Sequence, residues 1–459
     1  MRTEIEFNHL FSIPLKNGVT RPKKVRGEGF KMVNMGEIFS LDFISNENMD
    51  RVPLNEKEQD NFQLKQGDLL FARQSLVRNG AGKCSIFLGS HEITCFESHI
   101  IRVRLDKNKC FPLFYYYYFS SSAGRNLMDS IIEQGAGAAG IRGSDLAKLR
   151  VPYMDLYEQK LVAENLFLYD QKIHLNTQTN QTLEQIAQAI YKSWFVDYEP
   201  TRAKAAVLAA GGSMAEAETA AMTAISGKSA AELAALAQNH PARYQQLATL
   251  AQAFPAALTP TEDFGDIPEG WEVKPLDEIA HYQNGLALQK FRPENDREYL
   301  PVVKIAQLRQ GYADGSEKAS ININSNCIID NGDIIFSWSG TLMVDVWCGG
   351  RAALNQHLFK VTSKNYPKWF YYHHTKHHLD EFQRIASGKA VTMGHIKREH
   401  LSQALCAVPS IDFLNSQCKI MEQILDRIIA NRLENFSLAS IRDSLLPKLL
   451  SGEFTHDLG

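Results

Sequence analysis

The chain has 459 residues, 44% hydrophobic and 22% charged, enough for two or three separately cored domains of ordinary soluble type. Its net charge of −3 hides a positive opening section, since residues 1–150 carry 21 Lys and Arg against 17 Asp and Glu. No run of about 18 apolar residues exists to span a membrane, and the seven scattered cysteines form no Cys-x-x-Cys pair, which argues against a disulfide framework or a structural zinc site. The N-terminus lacks the basic start and apolar core of a secretion signal, so a cytoplasmic protein with reduced thiols is expected.

In chain order, the first half opens with a glycine turn, "LKNG" (Leu15 to Gly18), and a strand leading into a helix, "FKMVNMGEIF" (Phe30 to Phe39). A Gly-Asp turn then feeds an apolar strand, "LKQGDLLFAR" (Leu64 to Arg73), and a proline opens an aromatic helix, "CFPLFYYYYFSS" (Cys110 to Ser121). A Gly-rich loop, a short helix and a strand ending in Val-Pro follow in "QGAGAAGIRGSDLAKLRVP" (Gln134 to Pro152). Beyond it the pattern changes to one long helix. Val162, Leu166, Tyr169, Ile173, Asn176, Asn180, Leu183, Ala187, Ile190 and Trp194 alternate steps of four and three, a seam of roughly 50 Å at ~1.5 Å per residue. Asparagines in such a seam cost stability and fix register, which points to one specified partner.

The segment 201–265 is Ala-rich, helix-prone and broken by Gly-Gly. Its apolar residues are mostly small, so it reads as a helical linker or docking arm without a third core. After it, the first half repeats in order: "YQNG" (Tyr282 to Gly285), "LPVVKIAQLR" (Leu300 to Arg309), "IIDNGDIIFSW" (Ile328 to Trp338), "NYPKWFYYHHTK" (Asn365 to Lys376) and "SGKAVTMGHIKREHLSQALCAVP" (Ser387 to Pro409). The last stretch lies about 255 residues after its counterpart. A second helical seam closes the chain through Cys418, Met421, Leu425 and Ile428, resuming at Leu438, Ile441, Leu445 and Leu449. Duplicated halves imply that the two long helices pair antiparallel about a pseudo-twofold axis. The fold expected is therefore α+β: two duplicated mixed α/β domains separated by two long helices forming an antiparallel coiled coil.

Motifs for chemistry are incomplete. "VRNGAGKCS" (Val77 to Ser85) has Val77 and Cys84 where a phosphate-binding loop needs Gly and Ser or Thr, and "ISGKSA" has Met222 in place of the first Gly. Asp266, Glu272 and Lys274, or Asp155, Glu158 and Lys160, are spaced too closely for a nuclease site on adjacent strands. Four histidines in "YYHHTKHH" (His373, His374, His377, His378) could pair i,i+4 on a metal. The duplicate has no histidine there, so an exposed face is the expectation. No catalytic residue and no metal ligand is assigned.

The duplicated unit, its "GSDLAKLRVP" exit, the helix "TLEQIAQAIYKSWFVDYEP" (Thr182 to Pro200), the re-entry "IPEGWEVKPLDEIA" (Ile267 to Ala280) and the ending "SLASIRDSLLPKLLSGEF" (Ser437 to Phe454) resemble the specificity subunits of type I restriction–modification systems. The resemblance covers nearly the whole chain except the Ala-rich segment. It implies a target-recognition domain at 1–154, a central conserved helix at 155–200, an insertion at 201–265, a second target-recognition domain at 266–410 and a C-terminal conserved helix at 411–459. It further implies a non-catalytic reader of double-stranded DNA that binds no cofactor itself. Two methyltransferase subunits using S-adenosylmethionine, and restriction–translocase subunits using ATP and magnesium, would supply the chemistry. The first half lacks the Gly270-Trp271 opening, so its N-terminal edge is expected to be built differently.

Base reading calls for Arg, Lys, Asn, Gln or small hydroxyl residues on loops that can enter a groove. In the first domain these are Arg73, Gln74, Arg78, Asn79 and Lys83 after the apolar strand, with Gln134, Arg142 and Ser144 on the Gly-rich loop. In the second they are Ser337 and Ser339 on a loop without Arg, with Lys389, Thr392, His395 and Lys397. "TRPKKVR" (Thr20 to Arg26) is basic enough for phosphate. Partner and helix contacts are expected from Val162, Leu166, Tyr169, Ile173, Leu183, Ile190, Trp194, Met421, Leu425, Ile428, Ile441 and Leu445. The rivals are a scaffold with the same architecture and a self-sufficient restriction enzyme.

Overall fold

The computed structural model describes residues 3–135, 137–388 and 394–451. Two units share the two long helices: one runs to His174 and takes in Phe436 onward, the other is Leu175–Asn435. In the first, five strands lie in the order Lys16–Asn17, Ile100–Val103, Leu69–Ala72, Cys84–Phe87 and Phe43–Ile44. The central strands are buried on both faces, which is why Leu69 to Ala72 reads as an unbroken apolar run. The aromatic helix Pro112–Ser120 shares a core with Phe71 and Ile101. The second unit repeats the plan with His281–Asn284, Leu358–Thr362, Ile334–Ser337 and Met343–Val346 under the helix Lys368–His377.

The repeated motifs are demands of the backbone. At Gly18 a Cβ would stand 1.9 Å from the Phe96 carbonyl oxygen, and at Gly285 it would stand 2.3 Å from that of Asn355, so each turn passes too close to a strand for any side chain. In the Gly-Asp turns, Gly67 and Gly332 adopt φ of 93° and 87°. Each following aspartate accepts a hydrogen bond from the backbone N–H three residues earlier: Asp68 from Lys65 and Asp333 from Asp330, both at 2.8 Å. The same carboxylates hold Arg104, just past the end of the neighbouring strand, at 2.7 Å and Lys360, on the neighbouring strand of the second unit, at 2.8 Å.

The Val-Pro exits are strands Arg150–Tyr153 and Leu405–Val408, paired antiparallel with Thr3–Glu6 and Glu272–Pro275. The expectation of a different N-terminal edge is corrected here. Phe7 donates its N–H to Leu149 as Leu276 does to Ala404, both at 2.9 Å, so Phe7 fills the place of Leu276 without a Gly-Trp before it.

The central helix is Leu156–Phe195 and the C-terminal one Lys419–Ser451. In the second unit Asn176 donates to Glu434 and Asn435, each at 2.9 Å, while four residues on, Asn180 accepts from Asn431 at 2.8 Å and donates to the Ile428 carbonyl at 3.1 Å. Ascending one helix descends the other, so they are antiparallel. In the first unit the buried Asp170 accepts from the Tyr117 hydroxyl at 2.6 Å and pairs with Arg442.

Of the seam residues, Val162 and Leu166 belong to the first core, and Trp194, Met421, Leu425 and Ile428 to the second. Tyr169, Ile173, Leu183, Ile190 and Leu445 are half-buried. Ile441 departs from the expected seam and is 43% exposed. The inward positions there are Arg442, which neutralises Asp170, and Leu446.

Two further expectations change. The Ala-rich segment forms helices Glu199–Ala209, Met214–Ser226, Ala230–Asn239 and Pro241–Ala253, with a small core of Ala221, Met222, Leu233 and Ala251. Phe254 after them packs edge-on against Trp194 and Phe413, at 5.5 and 5.1 Å. The segment is folded and seated, not an open arm. The histidines are not an exposed face either: His373 and His374 are buried against Tyr191 of the central helix. Among the described residues no helix is long and apolar enough to cross a membrane.

Candidate nucleic-acid interface

In the first domain the apolar strand leaves the sheet at Arg73 and continues as a two-residue strand, Gln74–Ser75. Gln74 pairs with Gly140 and Ser75 with Ala139, and the same two partners pair on their far side with Glu133 and Gln134. The Arg73 carbonyl also accepts the Ile141 N–H at 3.0 Å. The two loops expected separately, 73–83 and 134–144, are thus one three-stranded platform joined at its root.

On this platform Gln74 is exposed and Arg73 half-buried, and neither side chain has a partner among the described residues. Arg78 is committed: its guanidinium holds the Asp129 carboxylate at 2.9 Å and the Asp129 carbonyl at 3.1 Å. Lys83 reaches the Phe39 carbonyl at 3.0 Å. Asn79 is exposed, and its carbonyl is held by Arg125 at 2.9 Å. Arg142 and Glu133 form an exposed pair at 2.8 Å, worth well under ~1 kcal/mol and so open to competition by phosphate. Gln134 and Ser144 are exposed, and among the described residues their side chains make only local bonds, to Gly135 and Asp145.

The second domain repeats the joint with fewer residues. Ser339 bridges His395, Gly340 donates its N–H to Gly394 at 2.8 Å, and Ile396 donates to Trp338 at 3.0 Å. Ser337 and Ser339, expected at the surface, lie beneath it. Ser337 is fully buried at the end of a buried strand and donates to the Ser339 carbonyl at 3.2 Å, while the Ser339 hydroxyl meets His357 Nδ1 at 3.0 Å. His395 is half-buried and Lys397 exposed, 3.1 Å from Glu399. Lys389 and Thr392 lie outside the described residues.

One candidate escaped the sequence. The loop 338–342 contains no Arg, yet Arg309, on the helix Ile305–Gln310, donates to the Thr341 hydroxyl at 2.9 Å and supplies that charge. The signal lay in the repeat: Arg309 aligns with Phe39, whose ring lies beside the loop of the first domain. In "TRPKKVR", Arg21 and Arg26 are bound to Glu58 and Asp50, at 2.6 and 2.7 Å, which leaves Lys23 and Lys24 exposed.

Reactive groups are not concentrated here. Burial pushes all seven cysteine thiols up, with Cys95 and Cys110 reaching about 12, so none is a thiolate near neutral pH. The described residues contain no cluster of three His, Cys, Asp or Glu able to hold a metal ion. What the surface offers is donors and acceptors on two rooted platforms.

A family model described as the type I restriction modification DNA specificity domain matches twice, at residues 7–185 and 268–441. The chain is similar to the type I restriction enzyme HindI specificity subunit of Haemophilus influenzae, with 29% identity over 436 residues, 92% of this chain and 93% of that one. It is also similar to the MjaIX specificity subunit of Methanocaldococcus jannaschii, 23% identical over 328 residues, 68% of this chain and 62% of that one. Among solved structures, a type I restriction–modification S subunit from M. genitalium aligns at 16% identity and a TM-score of 0.49, over 98% of this chain and 96% of that one.

Proposed function

Because the chain belongs to the type I restriction–modification DNA specificity family, we propose that it is the sequence-reading subunit of such a complex and that each domain reads one half of an asymmetric, split DNA target. The observation that carries this reading is the repeated platform. In both domains a strand-exit loop is joined by backbone hydrogen bonds to a Gly-rich loop, and the side chains displayed differ between the copies. A common root with different residues above it is what two readers of different half-sites require. Arg73 and Gln74, whose side chains have no partner among the described residues, suit bidentate contacts to guanine and adenine edges in the major groove. Lys23 and Lys24 suit phosphate, which positions without specifying.

The long helices fix the spacing between half-sites and dock two methyltransferase subunits. Those subunits use S-adenosylmethionine to methylate adenine, and restriction–translocase subunits use ATP and magnesium. The chain itself is non-catalytic and works in the cytoplasm, where the chromosome is. Methylation-aware sequencing of DNA from cells co-expressing the chain with its methyltransferase subunit tests this. The expected result is N6-methyladenine in both halves of a split motif, one half changing when residues 1–154 are exchanged. A soluble complex that leaves no new methylation would overturn the reading in favour of a non-catalytic scaffold.

A further inference from the structure

The tip of the first platform carries a feature that neither fold nor ion pairing explains. Leu76 is 87% exposed and Val77 beside it 65%, and neither belongs to a core formed by the described residues. Turn tips ordinarily take Gly, Asn, Asp or Ser, and the neighbours Arg73, Gln74, Arg78 and Asn79 are all polar.

The tip is also built to stay in place. The Ser75 hydroxyl accepts the Val77 N–H at 3.2 Å, and the Val77 carbonyl accepts the Gly80 N–H at 3.0 Å. Arg78 anchors the far side on Asp129 and on the Asp129 and Ile132 carbonyls. Gly80 sits so close that a Cβ would stand 2.2 Å from Ser75 Oγ. Two aliphatic side chains are therefore presented to solvent on a pre-organised turn, and their ordering is already complete before any partner arrives.

On the reading of the chain as a DNA-reading subunit, we propose that Leu76 and Val77 contact the C5-methyl group of a thymine in the half-site addressed by the first domain. An aliphatic group facing DNA has two uses: apolar contact with the thymine methyl in the major groove, or a wedge between base steps in the minor groove. The flanking groups favour the first. Arg73 and Gln74 are of the type that reads major-groove edges, and a ribbon of short strands fits that groove. Among its described residues the second domain has no such tip. Its loop is the five residues 338–342, against the eleven residues 73–83 in the first, and its aliphatic residue, Leu342, is buried. Methyl reading at this place is confined to one half of the target.

The test uses the assembled methyltransferase complex and a duplex carrying the target found by methylation sequencing. Each thymine of the first half-site is replaced in turn by deoxyuridine, which removes only the methyl. The wild-type complex should lose about fourfold in affinity at one position, the value of one buried methyl. The Leu76→Ala/Val77→Ala double variant, whose substitutions touch no core, should bind the thymine duplex more weakly and be indifferent to uracil at that position. Three outcomes overturn the proposal while leaving the DNA-reading function intact: specific binding without thymine–uracil discrimination anywhere, discrimination that survives in the variant, or a variant that loses DNA bending instead. A half-site without thymine overturns it too. Loss of all sequence preference in the wild-type complex would instead strike the parent reading.

Discussion

His373 and His374 make the second unit sensitive to acid in a way that can be worked out from their surroundings. His373 is 5% exposed and stacks on Tyr191 with ring centres 5.4 Å apart, while His374 is 2% exposed and meets the Tyr191 hydroxyl through Nδ1 at 2.7 Å. Its Nε2 has no partner among the described residues. Burial pushes His373 down to about 3 and His374 well below the ordinary 6.5, helped by Lys376 beside the first and by His378, His377 and His373 around the second. In the unfolded chain both imidazoles take up protons below about 6.5; in the folded unit they do not. Stability is therefore present in full above that pH and is lost as pH falls towards 3. At pH 5 each neutral histidine costs about 2 kcal/mol, or ~4 kcal/mol for the pair, from 1.5 pH units at ~1.36 kcal/mol each. That is a large part of the stability an ordinary domain possesses. All five tryptophans, Trp194, Trp271, Trp338, Trp347 and Trp369, lie in the second unit, so their fluorescence follows its unfolding alone. Between pH 8 and pH 5 the urea midpoint should fall on the order of 1–2 M. The variant His373→Tyr/His374→Phe takes the residues found at the aligned positions Tyr118 and Phe119. It should lose most of that fall; His377 and His378, shifted downward the same way, leave a residual slope. An undiminished fall in the variant would refute the reasoning, whatever its stability at pH 8.

Gly18→Ala and Gly285→Ala should each destabilise their own domain by on the order of 3 kcal/mol, because a strand must move to admit the Cβ; hydrogen exchange of the adjoining strands reads this domain by domain. Asn431→Ala, by taking the donor from the buried Asn180 side-chain amide oxygen, should cost about 1–3 kcal/mol. Replacing both Asn180 and Asn431 with Leu should cost less than the sum of the single changes, as a double-mutant cycle would show. Arg73→Ala should lower affinity for the specific duplex by about 1–3 kcal/mol and leave non-specific binding nearly unchanged. Lys23→Ala/Lys24→Ala should weaken both and reduce the salt dependence by roughly one unit per lysine, measured by titration at several salt concentrations.

The repeat was legible because its signatures are backbone requirements. Glycines at 18 and 285 are imposed by close approach, and aspartates at 68 and 333 by turns with free N–H groups, so they recur wherever the plan recurs. The long helices were legible through their spacing up to Ile441, where the need of Asp170 for a cation turned Arg442 inward. The joint between loops 73–83 and 134–144 left no trace, because main-chain pairing selects no side-chain type. The histidines misled for a related reason. Tyr118 and Phe119 are themselves buried, so the aligned positions are core in both copies, and a change of chemistry there was mistaken for exposure. In the Ala-rich segment the small residues concealed a core because Met222 and Leu233 suffice to fill it between helices that approach closely.

The joint at the root of each platform bears on how such a chain acquires new targets. It is made from N–H and C=O groups that every residue except proline possesses, so it tolerates almost any sequence above it. Lengthening the span it closes from five residues to eleven costs only about 0.7 kcal/mol of loop entropy. Substitutions and small insertions at the tip can accordingly accumulate without the sheet beneath having to be re-selected for folding. The long tip of the first domain and the short one of the second are two products of that tolerance, and a library varied only at residues 74–79 would explore it directly.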